Sequence, residues 1–250
     1  MWFAHVDYDA GWWIIVRKTP SVLGHRMQAE MDYTEESEIH FPTTVVQRLY
    51  KGVESLNSDL FGLLVSLSDR FVDTPQNAVK SGLISTQGGY QTATTLNLFT
   101  LKHQAIERFR DELVLPAARD YLAQVFGDLA RNFNPWPDGW GNLLRSGDWQ
   151  RPHFHPTLRN VVCGVYYVHI PEAKPEPQGN IEFFNPIQAS VNHGFPSTRR
   201  LLPQEGLMIL FPPWYVHYVY PFQGEGERAI IAFDILAQKP PGASGKTRTE

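Results

Sequence analysis

GLMILFPPWYVHYVYP, residues 206–221, followed after a six-residue gap by RAIIAFDIL, residues 228–236, is the stretch from which the fold is read. An apolar run from Gly206 to Phe211 stops at Pro212-Pro213, a second short run from Val216 to Tyr220 surrounds His217, and Arg228 opens a third. Short runs rich in β-branched and aromatic residues, bracketed by Pro and Gly, are strand signals. The same signal recurs upstream at Trp140–Arg145, Asn160–Ile170 and Asn180–Phe184. From Gly127 onward the chain therefore reads as a succession of short strands.

Before Gly127 the periodicity is helical. Leu49, Val53, Leu56, Leu60, Leu63, Leu64, Leu67 and Phe71 recur at three- and four-residue steps and predict a helix from about Val45 to Phe71. Asn57-Ser58-Asp59 offers caps that would restart it partway. Ile106, Phe109, Leu113, Ala117, Tyr121, Leu122 and Val125 predict a second helix from about Thr100 to Phe126, which Pro116 should kink or split. Helices first and many short strands afterwards indicate an α+β protein whose second half is a jelly roll or related barrel. The expected division is an N-terminal extension over 1–38, a main domain over 39–236 and a flexible Pro/Gly/Ser/Lys-rich tail over 237–250. Within the main domain, about 45–127 is the helical part and about 128–236 the strand-rich part.

Composition narrows the function classes. The 250 residues are 42% hydrophobic and 19% charged, an ordinary globular balance. A net charge of −4 supplies no electrostatic footprint for nucleic acid. No apolar stretch reaches the roughly 18 residues of a membrane span, and MWFAHVDYDAGWWIIVRK lacks the basic start of a signal peptide. A cytoplasmic protein is expected. Cys163 is the sole cysteine and lies in the apolar run VVCGVYYV, so no internal disulfide forms and a buried, inert thiol is expected.

The chemistry-bearing residues lie in the strand half. In His153-Phe154-His155 an extended backbone would turn both imidazoles to one side. Taken alone, the pair also suits two solvated loop histidines. His217 sits among apolar side chains and must find a partner when buried, either a metal or a core hydrogen bond. Arg228 either closes its strand in solvent or forks around a small carboxylate. His169, ending a strand before Pro171, and His193, in the polar connection 189–200, are expected at the surface.

The ordered set WGNLL (140–144), HFHP (153–156), CGVYYV (163–168), GNIEFFNP (179–186), PQEG (203–206), FPPW (211–214), His217 and Glu227-Arg228 resembles a family of 2-oxoglutarate/Fe(II) oxygenases related to the prolyl-4-hydroxylase-like enzymes. IHFPT (39–43) and STQGGYQ (85–91) resemble its N-terminal pattern, so the resemblance covers about 39–236. It implies a double-stranded β-helix, a cupin-like jelly roll with supporting N-terminal helices and iron at one mouth. The implied chemistry is oxidation of the hydroxylase type, with 2-oxoglutarate as co-substrate, molecular oxygen as oxidant and a small molecule or peptide as substrate. It further implies His153 and His217 as Fe(II) ligands, Arg228 on the far carboxylate of 2-oxoglutarate, Tyr167 beside it, and Asn142 facing the pocket.

Position 155 departs from the general pattern, in which an acid completes a facial triad. His155 is read first as a ligand of a three-histidine site. It is otherwise a supporting residue, with Thr157 or water near the metal, or a remote acid such as Asp148 or Glu182 completes the set. Two rival functions share the fold: a cupin-like three-histidine metal dioxygenase or isomerase without 2-oxoglutarate, and a non-catalytic jelly-roll binding module. Oligomeric state stays open, a homodimer included.

Overall fold

The computed structural model describes residues 4–5, 15–16, 43–68, 85–93, 95–155, 159–171 and 179–238. Phe71, Thr157, the boundary expected near Ile39–Pro42 and nearly all of the 237–250 tail lie outside these residues. In chain order the first strands are β1 (Ala4–His5), β2 (Ile15–Val16), β3 (Val46–Leu49), β4 (Thr86–Gln87), β5 (Tyr90–Gln91), β6 (Trp136–Leu144) and β7 (Trp149–His153). The remainder are β8 (Asn160–His169), β9 (Ile181–Phe184), β10 (Thr198–Leu201), β11 (Leu207–Phe211), β12 (His217–Val219) and β13 (Arg228–Leu236). β1 and β2 pair with each other.

The other strands form two antiparallel sheets that sandwich one core. The major sheet runs β3-β11-β8-β13-β6-β5 and the minor sheet β10-β9-β12-β7-β4. In each, strands distant in sequence lie side by side, the arrangement of a double-stranded β-helix. Strand alternation explains the layering. One face of the major sheet presents Tyr166, Val168, Met208, Leu210, Ile231 and Phe233 to the helices. The opposite face turns Val165, Tyr167, Ile209, Phe211 and Ile230 toward Ile181, Phe183 and Val219 of the minor sheet. The strands predicted from Trp140, Asn160, Asn180, Gly206, Val216 and Arg228 all form, with ends shifted by a few residues. The sequence reading missed β7 and β10, and the two-residue strands β1, β2, β4 and β5.

The first predicted helix is corrected. Val46–Leu49 is an edge strand in register with β11, from Leu207↔Leu49 to Leu210↔Val46. The chain turns at Gly52, whose φ of 72° favours glycine, and the helix α1 spans Glu54–Ser68. The apolar spacing of Leu49 and Val53 fits either structure, and edge pairing decides it. Nor does α1 restart at Asn57. That residue is buried and accepts a 2.7 Å hydrogen bond from the Tyr166 hydroxyl, which fastens the helix to β8.

The second helical region holds without a break. Helix α2 (Gln104–Arg108) passes through a π-helical segment, Phe109–Val114, into helix α3 (Leu115–Phe126). The Leu115 N–H reaches back to the Arg110 carbonyl, one residue further than an α-helix requires. This widened turn comes immediately before Pro116, which has no N–H to give.

Candidate metal centre

β7 and β12 are hydrogen-bonded neighbours, and their register sets His153 directly opposite His217. His155 lies two residues beyond the end of β7, where its N–H donates to the Pro213 carbonyl at 2.8 Å. The structure thus brings His153, His155 and His217 together, with a potential ligand nitrogen of each within 4.8 Å of the others. The ring centroids are 4.1 Å apart for His153 and His217, 5.5 Å for His153 and His155, and 5.4 Å for His155 and His217. Solvated loop histidines, the bland reading of 153 and 155, do not fit this cluster.

Each ring has one nitrogen already committed. His153 Nδ1 lies 2.7 Å from the Arg151 carbonyl and His217 Nδ1 2.9 Å from the Tyr215 carbonyl. His155 Nδ1 lies 2.7 Å from Asp234 Oδ1. Carbonyl and carboxylate oxygens only accept, so each Nδ1 carries the proton and each Nε2 keeps a lone pair. Three Nε2 lone pairs gathered at one place are a set that could hold a metal ion. Burial pushes His153 down to about 4, and it holds His217 well below the usual imidazole range, with His153 and His155 adding to the effect. Both are therefore neutral at pH 7, the form that ligates. Trp140 stacks against His155, centroids 5.7 Å apart, and Phe211 closes on His217 at 4.8 Å.

A cavity leads from the histidines to Arg228 and Tyr167. Arg228 is 1% exposed, and its Nε and Nη1 have no hydrogen-bond partner among the described residues. The buried Tyr167 hydroxyl interacts with the neighbouring guanidinium but makes no well-formed hydrogen bond to a described residue. The guanidinium carbon lies 5.3 Å from the Tyr167 ring centroid. Burial lowers the Arg228 pKa from its ordinary value and raises that of Tyr167, Arg228 opposing the latter shift. A buried guanidinium without an acid partner costs several kcal/mol, so the arrangement suits a ligand carboxylate. Gly179, at φ 63°, lies against it, where an added Cβ would come 3.4 Å from Arg228 Nε.

Asn142 pairs with Ile230, which lines the same cavity, so it faces the barrel interior. It is fully buried; its Oδ1 accepts from Thr86 at 3.1 Å and its Nδ2 has no partner among the described residues. The two remote acids considered from sequence are engaged elsewhere. Asp148 Oδ2 accepts from the Arg145 N–H at 2.7 Å in a turn. Glu182 is held by Tyr220 at 2.6 Å and Thr198 at 2.8 Å on the outer side of the minor sheet. The acid the fold does bring to the histidines is Asp234, which sequence reasoning passed over.

The remaining expectations divide. Cys163 is buried, its thiol held far above the usual range by burial first and then by Asp234. His193 is exposed. His169 is half-exposed, 2.7 Å from Glu205 and packed on Phe61, and belongs to no metal-holding group among the described residues. Of the nearby aromatic residues, Trp140 lines the cavity, Trp214 is exposed and Tyr215 is buried against Phe183.

The fold and site define a double-stranded β-helix with a histidine cluster at its mouth. Residues 138–234 match the model of the family described as "Putative 2OG-Fe(II) oxygenase", and this stretch is a 2-oxoglutarate/Fe(II) oxygenase domain. Its cofactors are Fe(II) and 2-oxoglutarate. Among solved structures, a Pseudomonas putida prolyl-4-hydroxylase is similar with a TM-score of 0.54 at 14% identity, covering 78% of this chain and 93% of its own. A Trichoplax adhaerens prolyl hydroxylase, solved in complex with a peptide fragment of the hypoxia inducible factor oxygen degradation domain, has a TM-score of 0.53 at 13% identity, covering 78% and 83%. These two likenesses establish the fold. No curated protein matches the sequence.

Proposed function

We propose that His153, His155 and His217 hold Fe(II) through their Nε2 atoms, and that Arg228 and Tyr167 anchor the far carboxylate of 2-oxoglutarate in a hydroxylase-type oxygenase. The single observation that carries this reading is Arg228, buried with two unpartnered N–H groups in the cavity that the three histidines share. Iron in such a site couples oxidative decarboxylation of 2-oxoglutarate, to succinate and carbon dioxide, to oxidation of the substrate. This chain's residues do the positioning. The guanidinium fork and the Tyr167 O–H fix one end of the co-substrate. Asn142 Nδ2, facing the same interior, is a further donor. Val165, Ile230 and Ala232 line the path between and keep water from it. A small molecule or a peptide is the substrate class.

The rival three-histidine enzyme without 2-oxoglutarate has no use for a buried carboxylate fork, and a binding module has no use for three converging Nε2 atoms. The test is anaerobic. Fe(II) added to apo-protein, then 2-oxoglutarate, should produce a visible metal-to-ligand charge-transfer band. In Arg228→Ala the co-substrate should bind about 30-fold or more weakly, since truncating one partner of a buried charged pair costs at least about 2 kcal/mol. Absence of the band, or unchanged affinity in the variant, would sink the reading.

A further inference from the structure

The geometry points to Asp234 as the carboxylate of this metal site, acting through His155 rather than on the metal: it fixes the ring by Nδ1 and supplies negative charge across the imidazole. This rests on the three-histidine reading above and assigns the charge which that reading leaves unplaced.

Three neutral imidazoles would leave Fe(II) with its full double charge inside a largely apolar barrel, an expensive arrangement without a nearby anion. Among the described residues, the acid in hydrogen-bond contact with the cluster is Asp234, 2.7 Å from His155 Nδ1. Both side chains are largely buried, at 10% and 14% exposure, so the interaction is poorly screened by solvent. A carboxylate on the outer nitrogen of a metal-bound histidine orients the ring and makes the inner nitrogen a stronger donor.

Two further features hold the carboxylate in place. The Cys163 thiol donates to the same Oδ1 at 3.2 Å, and Asn160 Nδ2 donates to Cys163 Sγ at 3.2 Å. His155, Cys163 and Asp234 also form a group close enough to hold a metal. In the structure, however, Oδ1 accepts from His155 and Cys163, which is a hydrogen-bonding arrangement rather than a ligand set. The register also places Asp234 opposite Asp138 across β13 and β6. Like charges in that position are unfavourable, so Asp234 needs a cationic partner nearby, which a metal-bound His155 provides.

Co(II) titration of the full-length apo-protein, read by its d–d absorption and by calorimetry, tests the assignment without turnover. Asp234→Asn keeps the shape and an acceptor oxygen but removes the charge. It should weaken Co(II) binding about 10–100-fold, with the far-UV circular dichroism of the apo-protein unchanged. Asp234→Ala should weaken it at least as much. His155→Ala combined with Asp234→Asn should bind no more weakly than His155→Ala alone, because Asp234 acts only through that ring. Asp234→Asn binding as tightly as wild type would overturn the assignment. Additive losses in the double variant would overturn it too, by showing that Asp234 touches the metal directly. If wild type itself binds no stoichiometric Co(II), the three-histidine reading falls and this one with it.

Discussion

At Arg228 the barrel holds a charge it does not itself neutralise. The guanidinium is 1% exposed, and two of its nitrogens lack hydrogen-bond partners among the described residues. In the apo-protein this is a cost, and bound 2-oxoglutarate would remove it. Arg228→Met should therefore raise the melting temperature of the apo-protein by several degrees, because a buried unpaired charge gives way to an apolar side chain of similar length. The same substitution should abolish the stabilisation that 2-oxoglutarate confers on the Fe(II)-loaded protein. Differential scanning calorimetry with and without the two ligands reads both effects. Gly179 packs against the same residue: Gly179→Ala would be strained at φ 63°, and relief of that strain would shift the backbone on which the guanidinium rests. It should weaken 2-oxoglutarate binding while leaving Co(II) affinity within about twofold.

At the scale of elements, the helices serve the site by holding the major sheet flat against one layer while the other face lines the barrel. The Asn57–Tyr166 hydrogen bond joins α1 to β8 inside the helix–sheet interface. Asn57→Leu would leave the Tyr166 hydroxyl buried without a partner, at a cost of about 1–3 kcal/mol, measurable by urea denaturation. Phe233, on the helix-facing side of β13, packs over Gly164 and against Phe99, ring centroids 6.2 Å apart. Phe233→Ala should cost about 3–5 kcal/mol. It should also disturb both site residues of that strand, Arg228 and Asp234, since the strand carries them at its two ends.

For the molecule as a whole, the buried histidines tie stability to pH. His153 has a folded pKa of about 4, below the usual 6.5 of an unfolded chain. His217 is also held well below the usual range, by burial first. Between those values the unfolded state binds more protons than the folded one, so stability rises with pH. The apo-protein should be most stable above about pH 6.5 and lose stability as pH falls from there toward 4, by roughly 1.4 kcal/mol per unit of depression. In the proposed three-histidine site Fe(II) would compete with the same protons, and metal affinity should fall over the same window. Unfolding curves of apo-protein at pH 7.5 and 5 that coincide would contradict this. Among the described residues no helix is long and apolar enough to cross a membrane.

What was legible in the sequence was local. Short runs rich in β-branched and aromatic residues between Pro and Gly announce β6, β8, β9, β11, β12 and β13, and along each strand successive side chains alternate between its two faces. The same rule puts Arg228, Ile230, Ala232 and Asp234 on one face of β13, so an inward acid six residues after the inward arginine was there to be read. The order of motifs from His153 to Arg228 likewise carried the family. Pairing was not legible. Val46–Leu49 has spacing that suits a helix and becomes a strand only because β11 offers an open edge. Trp149–His153, broken by Pro152, is a strand because β12 and β4 flank it. Asp234 and His155 lie 79 residues apart in the chain. Their meeting, like the close approach of His153 to His217, depends on cross-strand register, which no local pattern encodes. The sequence alone thus determined which histidines and which arginine the proposed site can draw on, and tertiary packing decided which histidine receives the acid.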